Sequence, residues 1–249
     1  MRSIFLKLLA VASLSVSVGS YAGIIQVDEN AFTSNASESF ERFDVADRNQ
    51  DDPLLQTYLR YQNQRILGDN ATINADMGGL IVTDSWYVQD MFFTQTLVQP
   101  SDGNQLAGLG GSNVQIATAE ITFDQSISAF GGHFIDARDG NFFNEFTTIS
   151  FFDEANSLLA SFTQSFYTDP IEVAPSEFRA LMTFAGFRTD DGQANIKRVT
   201  ISGHQTGFDN LRIQTANSGQ VQPVSEPSMA VLFLVAAIAS FAARVKRRK

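Results

Sequence analysis

The chain has 249 residues, a formal net charge of −10, 22 phenylalanines and no cysteine. Without cysteine it can form no disulfide, thiolate metal site or cysteine nucleophile, so we expect an apolar core to supply its stability. Residues 23–223 contain 26 acidic and 10 basic residues, and such a surface repels phosphate backbones, so nucleic acid is not an expected partner.

The N-terminus has the pattern of an export signal. Arg2 and Lys7 form a basic start, "LLAVASLSVSV" is an apolar stretch too short to span a bilayer, and small residues precede Gly23. This pattern predicts a signal peptide, with a signal helix, over residues 1–22. We expect the export machinery to recognise it and cleavage to fall between Ala22 and Gly23.

The segment "DDPLLQTYLRYQNQRILG" has the signals of a helix. Asp52 is a candidate N-cap, Pro53 occupies the first helical position, and Gly68 follows the last turn. Apolar residues stand at positions 54, 55, 58, 59 and 66, which is close to helical spacing. We therefore predict one short helix over residues 53–67, with a long loop as the alternative.

Most of the remaining body has the pattern of strands. Seven runs rich in Ile, Val, Thr and Phe are separated by Gly, Asp and Asn, at residues 114–124, 126–136, 146–153, 157–167, 180–190, 195–203 and 208–215. Because no long helical segments lie between them, these runs predict an all-β fold, an antiparallel β-sandwich over residues 23–214. The Gly- and Asn-rich segment 98–113 lacks the Lys of a phosphate-binding loop and predicts a plain loop.

The body lacks a recognisable catalytic motif. His133 and His204 have no H-E-x-x-H partner, and no G-x-S-x-G sequence is present, so we expect structural roles for both histidines. Paired carboxylates could hydrolyse glycosides, but the many acidic residues form too many chance pairs to select one. We expect Asp136, Asp190 and Asp191 to be solvated turn residues.

Aromatic residues cluster at Trp86, Tyr87, Phe92 and Phe93. Such a cluster could form a stacking platform for sugars. Large aromatic side chains are more often buried in the core of a domain. We therefore expect core packing, with sugar stacking as the alternative.

The chain ends in a linker, an apolar run and a basic tail. Residues 215–223 are polar and without periodicity, residues 229–243 carry no charge, and five of the last six residues are Arg or Lys. The apolar run is marginally long enough for a transmembrane helix over residues 229–243. The positive-inside rule places the basic tail in the cytoplasm, so we expect the acidic body on the outer side of the inner membrane.

Just before the apolar run stands the sequence Val224, Ser225, Glu226, Pro227 and Ser228. Together with the helix and the basic tail, it resembles the PEP-CTERM sorting signal recognised by exosortase. The family's usual form is Val-Pro-Glu-Pro, and here serine replaces the first proline. The resemblance covers residues 224–249 and implies that an exosortase cuts the chain near the motif. The body would then be transferred to the cell envelope or released to the extracellular space.

Three stretches of the body, "ITFDQSISAFGGHF", "FAGFRTDDGQANIKRVTI" and "GFDNLRI", resemble the jelly-roll domains often found ahead of this signal. The resemblance implies a jelly-roll-like sandwich whose first and last strands pair. It also implies a structural calcium ion held in part by Glu41 of "SFERFD" and Asp209 of "GFDNLR". Calcium takes oxygen ligands and could supply a cross-link that a cysteine-free exported protein lacks. The alternative is that both acids lie at strand ends in water.

Two terminal signals around a body without a catalytic motif predict an exported protein without enzymatic activity. We expect a binding or structural module of the cell envelope or extracellular matrix, with extracellular polysaccharide as a candidate partner. The alternative is a glycan-acting hydrolase of the same polysaccharide layer. Apart from the calcium ion, no cofactor is expected.

Overall fold

The computed structural model describes residues 23–44, 60–76, 79–84, 87–89, 95–109, 116–137, 146–175 and 177–215. Within these ranges the regular secondary structure is β-strand, apart from one short 3-10 turn at Glu29–Ala31. No helix in these ranges has the length and apolar character needed to span a bilayer. The predicted all-β class is confirmed, whereas the predicted signal helix and transmembrane helix lie outside the described residues.

Seventeen strands are defined within the described ranges. They are β1 (Ile24–Val27), β2 (Ala36–Glu38), β3 (Arg60–Tyr61), β4 (Gln64–Ile66), β5 (Ala71–Ala75), β6 (Leu80–Thr83), β7 (Tyr87–Gln89), β8 (Gln95–Gln99), β9 (Leu106–Leu109), β10 (Ala117–Asp136), β11 (Thr147–Phe152), β12 (Leu158–Gln164), β13 (Ile171–Ala174), β14 (Glu177–Leu181), β15 (Thr183–Thr189), β16 (Ile196–Gly203) and β17 (Thr206–Thr215).

The described strands form two sheets. In the larger sheet, hydrogen-bonded neighbours follow the order β12-β11-β16-β10-β17-β9-β6-β3, and β1, β2, β4, β5 and β15 pair beside this path. The smaller sheet has the order β13-β14-β8-β7. Among the described pairs, β14 and β8 run parallel, and the others are antiparallel.

The long strand β10 organises the larger sheet. Its residues 117–123 lie beside β5 and β16, and its residues 129–136 lie between β15 and β17. The register shifts between Thr122 and Ile127, where polar residues interrupt the alternation of apolar side chains. Irregularities of this kind bend a strand. The sequence pattern predicts two strands here, and the structure joins them into one.

Phenylalanine rings join two layers of the larger sheet. The ring centroids of Phe151 in β11 and Phe187 in β15 are 5.0 Å apart, although these two strands do not pair. The ring of Phe162 in β12 lies 4.9 Å from the Phe187 ring. The two layers therefore face each other as in a sandwich. Burying a phenylalanine in this way contributes roughly 1.5–3 kcal/mol relative to leaving it exposed.

The smaller sheet packs on the opposite side of β10. Phe134 belongs to the main core, whereas its neighbour Ile135 packs with Val98, Leu106 and Ala180. Adjacent residues of a strand point to opposite faces, so this end of β10 is covered on both sides. Double coverage explains why residues 127–136 are almost continuously buried.

The helix predicted over residues 53–67 is wrong where the structure describes it. Residues 60–61 and 64–66 belong to β3 and β4, and residues 53–59 lie outside the described ranges. Asn63 and Leu67 have φ angles of 53° and 58°, which a right-handed helix does not contain. Residues 64–66 pair with β5 and bury Ile66 in the main core. Tertiary packing therefore overrides the helical spacing of the sequence.

The loop predicted over residues 98–113 is shorter than expected. Strand β8 continues to Gln99, and β9 occupies Leu106–Leu109, which leaves residues 100–105 as the loop. Residues 110–113 lie outside the described ranges. Strand β9 pairs with β6 and β17 and is buried throughout. A strand buried on both faces does not show the polar alternation that identifies a strand in the sequence.

Candidate functional site

Asp209 is a buried carboxylate that anchors the loop of residues 100–105. Its Oδ2 accepts hydrogen bonds from the backbone N–H groups of Ser101 and Asp102, each at 2.9 Å, and from the Ser101 hydroxyl at 2.8 Å. Its Oδ1 accepts the N–H group of Asn210 at 2.6 Å. Burial raises the pKa of Asp209 to about 6, although these hydrogen bonds act in the opposite direction. This carboxylate is not a solvated strand end.

Glu41 binds the other end of the same loop. Its Oε1 accepts the N–H groups of Asn104 and Gln105, both at 2.7 Å, and its side chain is exposed. The structure therefore brings both predicted calcium ligands to one loop. Within the described ranges, no group of three or more Asp, Glu or His side chains is placed to hold a metal ion. Calcium binding by Glu41 and Asp209 stays a prediction.

Glu38 is a second buried carboxylate, and no sequence pattern singles it out. Its Oε1 accepts the N–H group of Phe40 at 3.1 Å, and its Oε2 accepts the N–H group of Leu67 at 3.0 Å. Phe40 and Leu67 have φ angles of 62° and 58°, a region sparsely populated by residues with side chains. Glu38 therefore stabilises two tight turns, one after β2 and one after β4.

The prediction that Asp136 is a solvated turn residue is wrong. Asp136 is buried and accepts hydrogen bonds from the Thr147 hydroxyl at 2.5 Å, the Phe166 N–H group at 2.8 Å and the Thr206 hydroxyl at 3.3 Å. Burial raises the pKa of Asp136, and these hydrogen bonds oppose the shift. By contrast, residues 190–191 are exposed, as predicted.

The two histidines have structural surroundings. Nε2 of His133 lies 3.6 Å from Oε2 of Glu29, and its ring makes an edge contact with Phe184 at 5.4 Å. Burial lowers the pKa of His133, and the charge of Glu29 opposes that shift. His204 lies in the turn between β16 and β17. Among the residues that the structure describes, Nδ1 of each histidine is buried and has no hydrogen-bond partner.

Several predicted residues lie outside the described ranges. These are Trp86, Phe92, Phe93, Ala22 and the sorting motif of residues 224–228. Tyr87 begins β7, and Gly23 directly precedes β1. Sugar stacking, signal cleavage and sorting by these residues stay predictions.

The outer face of β12, β11, β16, β10 and β5 carries three rows of mainly polar side chains. Strand register places the members of each row side by side across the sheet. We name this surface the hydroxyl face. Its rows are Thr163, Thr148, Ser202 and Thr118; then Ser161, Ser150, Thr200, Glu120 and Asn74; then Leu158, Phe152, Arg198, Thr122 and Thr72. These side chains are exposed or half-buried, whereas most intervening residues belong to the main core.

Hydroxyl groups within the rows bond to one another. Three such pairs have oxygen–oxygen distances of 2.9 Å: Thr148 with Thr163, Ser150 with Ser161, and Thr118 with Ser202. A hydroxyl offers one donor and two acceptor positions, so each pair keeps hydrogen-bonding capacity toward solvent or a ligand. Neighbouring strands lie about 4.8 Å apart, and the hydroxyl groups recur across the sheet at that interval.

Arg198 forms a flat platform in the third row. Its guanidinium carbon lies 3.8 Å from the centroid of the Phe152 ring. Nη1 donates to Oε2 of Glu120 at 2.8 Å, and Nη2 donates to Oδ1 of Asn156. Stacking and planar hydrogen bonding hold a guanidinium in a defined orientation, which an ammonium group cannot match. The ion pair also balances the two formal charges of the hydroxyl face.

The hydroxyl face has only a weak signal in the sequence. Ser or Thr alternates with apolar residues in "TTISFF" and "RVTISG", and this alternation identifies strands with one buried face. It does not identify which strands are neighbours. The rows arise from the register of five strands, and register depends on the buried pattern of the whole sheet.

No protein-family model and no curated protein matches the chain significantly. Two solved structures match the chain at low similarity. The module TmCBM61 in complex with β-1,4-galactotriose is 9% identical, with a TM-score of 0.36, over 63% of this chain and 99% of that one. The family 11 carbohydrate-binding module of the cellulase Lic26A-Cel5E from Clostridium thermocellum is 12% identical, with a TM-score of 0.26, over 59% of this chain and 88% of that one. At these values the two matches carry no argument about this chain.

Proposed function

We propose that the chain is an exported protein whose β-sandwich binds extracellular polysaccharide without chemical turnover. The observation that carries this function is the hydroxyl face, with one row of side chains in register across four strands and two rows across five. A polysaccharide presents many hydroxyl groups at regular intervals, and each can donate and accept hydrogen bonds. A regular array of protein hydroxyls offers the complementary groups, directly or through bridging water.

The third row adds apolar surface to this array. Leu158 is an exposed apolar residue, and Phe152 is half-buried beneath the Arg198 guanidinium. Binding sites for polar ligands commonly combine apolar or aromatic surface with a few oriented polar groups. The C–H face of a sugar ring can pack on this row while its hydroxyls bond to the second row.

Hydrolysis is less well supported than binding. The buried carboxylates Glu38, Asp136 and Asp209 each accept hydrogen bonds from protein groups. Glu120 on the hydroxyl face is paired with Arg198. A general acid for glycoside cleavage needs a carboxyl group free to reach the glycosidic oxygen. These four carboxylates hold the fold or the face in place, so none of the four is free to act as the general acid of the alternative hydrolase.

The test is affinity electrophoresis of the protein, purified as its host produces it, through gels containing the host's extracellular polysaccharide. We expect retardation that Thr200→Val reduces, because this change removes a hydroxyl from the middle row and keeps the side-chain shape. Thr183→Val is the matched control, since Thr183 is an exposed strand threonine of β15 outside the hydroxyl face. Unretarded wild-type protein would contradict the proposal. Release of reducing sugar in the same mixture, abolished by mutating one Asp or Glu, would favour the hydrolase.

The proposal includes the route by which the protein reaches the polysaccharide. A signal peptide over residues 1–22 directs export, and the apolar helix over 229–243 holds the jelly-roll-like body at the inner membrane. An exosortase then cuts near residues 224–228 and transfers the body to the envelope or the extracellular space. Mass spectrometry of the mature extracellular protein should find an N-terminus at Gly23 and no "RVKRRK" sequence. An intact basic tail would instead indicate a plain membrane anchor.

A further inference from the structure

We infer that the hydroxyl face selects an uncharged polysaccharide and that the bound chain lies across the strands, along the rows. The inference rests on the proposed function and specifies its ligand class. It depends on two observations, namely the balance of charge on the face and the direction in which like groups repeat.

Charge on the hydroxyl face is internally balanced. Arg198 is held 2.8 Å from Glu120. Beside the face, Arg65 pairs with both oxygens of Asp124, and the ammonium group of Lys197 donates to the Asp124 backbone carbonyl at 2.9 Å. These cations therefore already have partners within the protein. An anionic polysaccharide would have to break an ion pair to reach Arg198 or Arg65, and would meet Lys197 only as an ammonium group already bonded to a carbonyl oxygen.

The rest of the body strengthens this selection. Residues 23–223 have 26 acidic and 10 basic residues, so the body repels uronate or sulfate groups at long range. A cationic polysaccharide would be attracted to the acidic surface as a whole and would have no reason to choose the hydroxyl face. An uncharged chain avoids both effects, and its binding energy comes from the hydroxyl rows and the apolar third row.

The direction of the bound chain follows from the spacing of the groups. Along the second and third rows, five strands present side chains at intervals of about 4.8 Å, so each of these two rows extends about 19 Å. Along a strand, residues of the same face recur only every second position, about 6.7 Å apart, and the three rows extend about 13 Å. A chain laid along a row therefore meets more groups, at shorter intervals, than a chain laid along a strand.

Arg198 is the specificity-determining residue of this site. Its guanidinium is stacked on Phe152 and bonded to Glu120 and Asn156, so it presents a fixed planar group next to the second row. A planar, weakly hydrated guanidinium can stack against a neutral ring, whereas an ammonium group retains its water. Arg198→Lys keeps the charge and removes the plane.

The experiment is calorimetric titration of the purified protein with three probes: neutral cello-oligosaccharides from disaccharide to hexasaccharide, polygalacturonate and chitosan. We expect binding of the neutral series, with affinity that increases with length and levels off once the row of about 19 Å is filled. The affinity should change by no more than about twofold between 0.01 M and 1 M salt, although the Debye length falls from about 30 Å to about 3 Å.

The outcomes separate the ligand class from the proposed function. Binding of polygalacturonate or chitosan alone, or affinity that falls steeply with salt, overturns the uncharged ligand and leaves polysaccharide binding in place. Equal affinity for the disaccharide and the hexasaccharide overturns the orientation along a row. Binding of none of the three probes overturns the inference, whereas the proposed function is overturned only if the host's own polysaccharide also fails to retard the protein.

Two variants test the role of the guanidinium plane. Arg198→Lys should weaken binding of the neutral hexasaccharide by about tenfold, which corresponds to about 1.4 kcal/mol. Arg188→Lys is the control, because Arg188 is an exposed arginine of β15 outside the hydroxyl face, and it should bind like the wild type. Phe152→Leu keeps apolar volume and removes the stacking ring. It replaces Arg198→Lys in the same titration if Arg198→Lys does not fold. Wild-type affinity in a folded variant would refute the role of Arg198.

Discussion

Replacing Asp209 by asparagine should change how the free energy of unfolding depends on pH. Asp209 is buried and accepts four hydrogen bonds, three of them at Oδ2 from the loop of residues 100–105. Two effects compete at this carboxyl group. Burial disfavours the ionised form, and N–H and O–H donors favour it. Burial is the larger effect and raises the pKa of Asp209 to about 6.

The sign and size of the effect follow from this pKa. In the folded state Asp209 holds its proton more tightly than in the unfolded chain, where an aspartate has a pKa of about 3.9. Ionisation therefore destabilises the fold. The stabilisation that protonated Asp209 provides below about pH 4 is lost as the pH rises through 6. Proton linkage converts this shift into a loss of about 2 kcal/mol between pH 4 and pH 7. Asparagine does not titrate and removes this loss.

The assay is urea unfolding of the wild type and of Asp209→Asn at several values between pH 4 and pH 7. The free energy of unfolding of the wild type minus that of the variant should fall by about 2 kcal/mol over this range. Taking the difference removes the titration of His133, whose lowered pKa acts in the opposite direction on stability. Asp169→Asn, at an exposed position, is the matched control for the same substitution outside the buried site. A difference for Asp209→Asn that stays constant would show that the hydrogen bonds fully offset burial, and one that rises with pH would show that they outweigh it.

Three further predictions concern the same end of the fold and its core. Gly103→Ala should lower the free energy of unfolding by about 2–4 kcal/mol, because φ is +68° and an added Cβ would lie 2.3 Å from Oε1 of Glu41. The control is Gly192→Ala, with φ of +71° and open space around it, which should cost only about 1 kcal/mol. Equal losses of unfolding free energy for the two variants would contradict the contact between Gly103 and Glu41. Phe151→Ala should lower the free energy of unfolding by about 3–5 kcal/mol, because this ring joins the two layers, and a loss below about 1 kcal/mol would mean that the layers do not share this contact. If Glu41 and Asp209 hold calcium, millimolar calcium should raise the melting temperature and a chelator should lower it, and an unchanged melting temperature would leave the loop N–H groups as the partners of both carboxylates.

Alternation of apolar and polar residues was enough to identify several strands of the second half of the chain, although β13 was not predicted. Residues 146–153 and 195–203 are predicted as strands, and the structure has β11 at Thr147–Phe152 and β16 at Ile196–Gly203. Such strands have one face in the core and one face in solvent, so the period of two is visible locally. The all-β class follows from the same period, because it reflects only the local surroundings of each residue.

Tertiary structure alone decided the features that depend on distant neighbours. Residues 64–66 have helical apolar spacing but form β4, because pairing with β5 buries Ile66. Asp136 and Asp209 have the local sequence of turn and strand-end residues, yet both are buried, because backbone N–H groups from distant segments converge on them. The hydroxyl face likewise requires five strands in one register. Local sequence determines which residues prefer a strand, whereas the identity of each strand's neighbours, and hence every site built across strands, is set by the packing of the whole sheet.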